Sequence, residues 1–242
     1  MTLVILGLVI GSSAPTIFAA EQTNKAKDVE KAEKGRDQTL KTQLGLLQAK
    51  ASQLKAEIAL RIEHSPEKAK QALLEADRYL SEASASASRG VVKGITALKN
   101  ETNDVIKSLT LNAEDAKENL GVLIANTENQ IKSYGDRIKK SEETALFKKR
   151  YAQLEAQAAL LKARLAARTT AGYEQAQAYL DDAKAWYAHS KAQVKEAGSQ
   201  QIEAMEKGID AAKASMEKKE KQARHQLSDL LIQAADMVKD EK

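Results

Sequence analysis

From Leu40 onward the apolar positions of this chain run Leu40, Leu44, Leu47, Ala51, Leu54 and Ile58, in steps that alternate four and three. An average of 3.5 residues keeps them on one stripe of a helix, the spacing at which helices pack on helices. The same pattern returns as Phe147, Tyr151, Leu154, Ala158, Leu161 and Leu165, each at one constant offset from its counterpart. The likeness extends beyond the stripe. Leu54–Arg61 (LKAEIALR) lies opposite Leu161–Arg168 (LKARLAAR), and the same offset sets Leu73 against Leu180, Ala76 against Ala183, Tyr79 against Trp186 and Ile95 against Ile202. No gap is needed to keep the two in step. The pattern predicts an all-α chain made of two tandem copies of one unit, packed as antiparallel helical hairpins in an elongated coiled-coil bundle.

Breaks in the pattern place the turns. In His64-Ser65-Pro66-Glu67, Ser65 can cap a helix, Pro66 suits its first position and Glu67 favours the positive end of its dipole. The second copy has Thr169-Thr170-Ala171-Gly172 at that place, again a capping hydroxyl beside a glycine. Between the copies, Gly135 offers a left-handed helix terminus and Asp136 a cap for the next helix. Each unit then reads as an arm of about 33 residues, roughly 50 Å long, followed by a longer arm. The stripe of the longer arms continues through Ile95, Leu98, Thr102, Val105 and Leu109, and through Met205, Ile209, Ala212 and Met216. That continuity predicts unbroken helices with local kinks at Gly90 and Gly94, Asn112 and Gly198. The expected segments are a leader at 1–19, a polar entry into the first helix at 20–39, and the two copies at 40–146 and 147–242.

Composition narrows the class of protein. Basic and acidic residues number 38 and 34 and interleave, so the net charge of +4 gives no concentrated field for nucleic acid. Regular spacing of the apolar residues argues for folded helices over a disordered polar chain. The first charged side chain is Glu21. Before it stand the apolar run Leu3–Ile10, Pro15 and a small residue, Ala19, at which cleavage could occur, which is the layout of a secretory signal peptide. No Lys or Arg precedes the apolar run, and an uncleaved amino-terminal tether is the alternative expectation. The chain has no cysteine, which is neutral on export, since helical proteins are exported without disulfides.

The search for chemistry returns little. His64, His189 and His225 stand singly, with no second histidine at helical spacing and no cysteine to complete a metal site. There is no glycine-rich phosphate loop and no serine beside a candidate base. No catalytic, cofactor-binding or metal-binding residue is therefore assigned, and no enzyme is expected. Asn100-Glu101-Thr102 matches the N-glycosylation pattern. One cluster stands out: Tyr173, Tyr179, Trp186 and Tyr187 gather just after the second turn. It is a candidate packing or partner patch, and the match of Trp186 to Tyr79 favours packing.

These readings lead to an exported, non-enzymatic coiled-coil protein: a scaffold or helical protein-binding module of the cell envelope. Its expected partners are copies of itself or another helical envelope protein, with no nucleic acid and no small-molecule substrate. The alternative is reversible binding to lipid surfaces by amphipathic helices. In composition the chain is similar in outline to exchangeable apolipoproteins, without their short proline-punctuated repeat.

Overall fold

The computed structural model describes residues 15–136, 143–168, 172–194, 196–218 and 222–239, with side chains from residue 33 onward except at 196, 197 and 239. Every regular element among them is α-helical: α1 (Pro15–Arg61), α2 (Pro66–Ser86), α3 (Arg89–Leu111), α4 (Ala113–Gly135), α5 (Ala145–Ala166), α6 (Tyr173–Lys191), α7 (Glu196–Glu217) and α8 (Ala223–Lys239). Contacts divide the chain into two units, Met1–Asp37 and Gln38–Lys242. In the first unit the described part is the opening stretch of α1. The leader expected at 1–19 lies outside the described residues as far as position 14. Its remaining residues, Pro15–Ala19, begin α1. No described helix is long and apolar enough to cross a membrane.

The second unit contains two up-down-up-down four-helix bundles. In the first, α1 runs antiparallel to α2, since Ser52 Oγ meets Glu75 at 3.0 Å and Gly45 lies against Ala83. It runs antiparallel to α4 as well, because Gln43 reaches Ile131 while Arg61 reaches the carbonyl of Lys117. Helix α3 closes the ring between α2 and α4. In the second bundle α5 lies beside α6 and α8, with α7 closing the ring. The two bundles meet along α1 and α5. Lys50 pairs with Glu155 and Glu63 with Arg164, so both helices ascend together and are parallel.

Buried positions keep step between the bundles. Ala69, Leu73, Ala76, Leu80 and Ala83 of α2 are buried, and so are their counterparts at the repeat offset, Ala176, Leu180, Ala183, Tyr187 and Ser190 of α6. Ile95, Leu98, Thr102, Val105 and Leu109 of α3 likewise match Ile202, Met205, Ile209, Ala212 and Met216 of α7. Each set recurs every three or four residues, one face of a helix turned inward.

Two expectations from the sequence are corrected. The longer arms are not continuous. Ala87-Ser88 separates α2 from α3 and Asn112 separates α3 from α4, while α6 ends at Lys191 before α7 begins at Glu196, and α7 ends at Glu217 before α8 begins at Ala223. Asn112 does this by capping: its side chain accepts from the backbone N–H of Glu114, and its own N–H returns to Ser108. Gly90, Gly94 and Gly198, expected as kinks, sit inside α3 and α7. An unbroken stripe fixes which residues face inward but not whether the chain turns back. Folding back lets one chain bury the stripe that a straight arm would need a partner to cover. The second correction concerns α1 and α5. Their apolar residues do not form a narrow seam, because Thr42, Gln43, Lys50, Ser52 and Gln53 of α1 and Gln153 and Gln157 of α5 are buried too. Each of these helices serves its own bundle on one side and its parallel mate on the other, so polar positions between the two faces are covered as well.

The turns also show where local chemistry decides. Ser65 caps α2 by accepting from Lys68 N–H, with Pro66 first in the helix as expected. The left-handed residue ending α1 is His64 (φ 52°), and the N–H of Ser65 reaches back to the carbonyl of Ala59. Gly135 takes no such conformation; it ends α4 within the helix, and Asp136 follows in right-handed geometry. Thr144, rather than Asp136, caps α5, accepting from Phe147 N–H. Thr169 and Thr170 lie outside the described residues. At Gly172 a Cβ would fall 1.9 Å from the carbonyl oxygen of Ala166. Gly172→Ala is therefore expected to destabilise by about 1–3 kcal/mol, read as a lower urea midpoint at unchanged slope.

Candidate functional site

Where α1 and α5 lie side by side, their flanking helices leave a groove on each side of the seam. The groove between α4 and α6 has two hollows. One, of about 780 Å³, is lined by Gln43, Lys50, Glu128, Phe147, Tyr151, Glu155, Trp186 and His189 among others. The next, of about 560 Å³, continues past Glu128 to Leu54, Ile124, Leu165 and Tyr179. On the far side, between α2 and α8, a hollow of about 700 Å³ is lined by Ile58, Ala72, Leu161, Leu231 and Ile232. Leu54, Leu165, Ile124 and Tyr179 on one side stand at one constant sequence offset from Leu161, Ile58, Leu231 and Ala72 on the other. The two grooves thus share a ground plan and differ in their fittings.

The first groove has an aromatic wall. Phe147 and Tyr151 sit a turn apart on α5 with ring centroids at 5.7 Å, and Tyr151 meets the edge of Trp186 at 5.7 Å. The His189 ring lies 5.6 Å beyond Trp186. At the matching positions of the other half stand Leu40, Leu44 and Tyr79. The candidate cluster on α6 is accordingly divided. Tyr173 and Tyr187 are buried on the face that carries Ala176, Leu180 and Ala183, whereas Tyr179 and Trp186 are half-buried and line the groove. They do not make one patch.

Charge lies at the floor. The Lys50 side chain is 8% exposed, 2.9 Å from Glu155 and 3.7 Å from Glu128, and Glu128 also receives Lys162 at 2.6 Å. Gln43 donates from Nε2 to the carbonyl of Ile131 at 3.2 Å, but its buried Oε1 has no partner. The Tyr151 hydroxyl lies 3.5 Å from Glu155. Sequence reasoning placed Phe147 and Tyr151 on the stripe and overlooked Gln43, Lys50 and Glu155. A faint signal existed: Lys50 is flanked by Ala49 and Ala51 within a stretch of few charges.

Burial, with the Glu155 carboxylate second, pushes the Tyr151 phenol up to about 12. Burial alone drives that of Tyr187 upward. An unfolded phenol loses its proton near pH 10, while these folded ones retain theirs. The contribution of Tyr151 to stability is thus complete below pH 10 and is lost as pH rises through about 12. Tyr151→Phe is expected to shift alkaline unfolding, followed by circular dichroism, to higher pH.

The three histidines are exposed and far apart in sequence, and no cluster of three or more metal-ligating side chains occurs among the described residues. Asn100 lies mid-helix in α3, and the hydroxyl of Thr102 is buried and donates to Leu98 O, so in the folded bundle the glycosylation pattern is not presented. No protein-family model matches the chain, and neither a curated protein nor a solved structure does.

Proposed function

We propose that the chain is a non-enzymatic helical scaffold of the cell envelope, exported through its apolar leader, that binds partner proteins along the grooves beside the α1–α5 seam. The reading rests on one observation: two halves whose buried positions keep a common register present two grooves of like plan on opposite sides of a doubly enclosed rod. Duplication of one four-helix unit is the simplest origin of that arrangement. The exterior supports contact rather than catalysis. It is covered by ion pairs such as Arg78–Glu82, Lys184–Asp210 and Lys191–Glu203, and among the described residues large apolar side chains are exposed at scattered points, Leu74, Leu111, Val122, Leu146 and Ile232. Lipid binding would require the helices to turn outward the faces that now fill the two cores.

Photo-crosslinking residues placed at Gln71 and Gln175, at the rims of the two grooves, test the reading in the native cell envelope. Discrete protein adducts are expected from both, with none from a photo-crosslinking residue placed at Asn100, which is exposed on α3. Adducts from neither groove, or co-flotation of the purified chain with anionic vesicles, would remove the protein-binding reading.

A further inference from the structure

We infer that a basic hollow at the end of the α1–α5 seam, lined by Arg164, Arg168, Arg224 and His225, binds a compact multivalent oxyanion of the diphosphate kind, free in solution. The hollow, of about 430 Å³, lies where α1 and α5 finish and α8 begins. Arg61 and His64 complete its charged lining, and no carboxylate lines it among the described residues. In a chain whose 38 basic and 34 acidic residues interleave, that lining departs from the overall balance. A concave surface of one sign concentrates ions of the other, and the planar guanidinium fork matches the oxygens of a phosphoryl group.

These cations are only partly neutralised within the chain. Arg61 Nε lies 2.7 Å from Glu57, and Arg164 lies 3.1 Å from Glu63, which also holds Lys68 at 2.9 Å. One carboxylate between Arg164 and Lys68 leaves a positive charge over. The guanidinium groups of Arg168 and Arg224 are exposed and have no ion-pair partner among the described residues. Helix ends account for some of these residues and not for others. Arg61 and Arg164 stand in the last turns of α1 and α5, where a cation is favoured. Arg224 stands in the first turn of α8, where a cation is disfavoured and no acidic residue offsets it. A bound anion neutralises the excess and lies at the favourable end of that helix.

The first copy serves as an internal control. One constant offset sets Arg164, Arg168, Arg224 and His225 against Glu57, Arg61, Lys117 and Glu118. There two acids balance two bases, and Arg61 is held by Glu57 and by the carbonyl of Lys117 at 3.1 Å. A balanced set is therefore enough to close an equivalent corner, and the excess of cations is particular to the second copy. The source of the anion follows from the surroundings. None of the exposed large apolar side chains lines this hollow. A lipid headgroup would bring acyl chains that need such a surface, so the ligand is a soluble one.

Isothermal titration calorimetry of the full chain with pyrophosphate, in about 0.1 M sodium chloride, is expected to saturate at one equivalent. Arg168→Gln and Arg224→Gln should each weaken binding by about tenfold, as loss of a charge-assisted hydrogen bond does. His225→Glu, which installs the acid of the matching position, should weaken it at least as much. Lys117→Gln, at the position matching Arg224, should leave it unchanged. Arg168, Arg224 and His225 are exposed, and circular dichroism establishes that each variant is folded. Acetate, with a single charge, should not compete at matched ionic strength. Vesicles of phosphatidic acid, which carry the phosphoryl group on a lipid, should not displace pyrophosphate. Absence of saturation up to about 1 mM, unchanged affinity in both Arg168→Gln and Arg224→Gln, an equal loss in Lys117→Gln, competition by acetate, or displacement by the vesicles would overturn the assignment. Crosslinking at Gln71 and Gln175 stands or falls separately, because neither residue lines this hollow.

Discussion

Lys50→Met is expected to destabilise the fold by about 3–5 kcal/mol, the range for removing one partner of a buried ion pair. Lys50 and Glu155 are 8% and 14% exposed in their side chains and 2.9 Å apart, at the seam where the two bundles meet. Without the ammonium, the Glu155 carboxylate keeps only the Tyr151 hydroxyl at 3.5 Å, a long contact for a buried anion. Glu128 suffers less, being more exposed and still held by Lys162. The pair as a whole need not be stabilising, since taking both charges out of water offsets their attraction. Lys50→Gln with Glu155→Gln should therefore recover most of the loss, to within about 1–2 kcal/mol of the parent. Glutamine is also what the chain places at the two matching positions of the opposite copies, Gln157 and Gln48. Urea midpoints at constant slope measure both variants. A single variant as stable as the parent would mean that the pair is hydrated in solution and that the seam is looser than the structure has it.

Much of this architecture was legible in the sequence, and the parts that were not share a cause. Periodicity reports which side of a helix is apolar, and it correctly placed Leu47, Leu54, Ile58, Ile95 and Leu98 inside. It is blind to a helix apolar on one side and enclosed by polar contacts on the others. Lys50 and Gln43 looked like the solvated side of α1 because a lone cation or amide normally is. The docking of α4 and of the parallel α5 onto α1 covers them. The turns were half legible for a similar reason. Ser65-Pro66 states its own geometry, whereas the chain reverses at Ala87-Ser88 with no side-chain cap at all. There the decision belongs to the apolar faces of α2 and α3, which bury each other only if the chain folds back. The site was least legible. Trp186 and Tyr187 are adjacent in sequence, yet a step of about 100° per residue along the helix separates groove from core.

Gln53→Leu is expected to stabilise the protein by about 1–3 kcal/mol, and Leu160→Gln to destabilise it by about 2–4 kcal/mol. Gln53 is fully buried on the side of α1 that carries Leu46, Ala49, Ala56 and Leu60, and neither its amide oxygen nor its nitrogen has a partner. Two orphaned polar atoms in an apolar layer forgo their hydration with nothing in exchange, whereas leucine of nearly the same reach would return that area to the core. The matching position in the second copy is Leu160, also fully buried, so the backbone plan accepts leucine there without strain. The halves are reciprocal in this respect. Gln153, with an unpartnered Oε1, stands opposite Leu46, and Leu160 stands opposite Gln53. Each core therefore holds one glutamine, at different heights, which would disfavour exchange of α1 for α5 between like bundles by leaving an amide against the wrong layer. That account separates stability from specificity. If it holds, Gln53→Leu combined with Gln153→Leu melts higher than either alone while refolding less uniquely, seen as broadened or doubled amide resonances. A stability unchanged by Gln53→Leu would instead mean that an internal water joins the amide to a neighbour, as ordered waters do at buried polar sites.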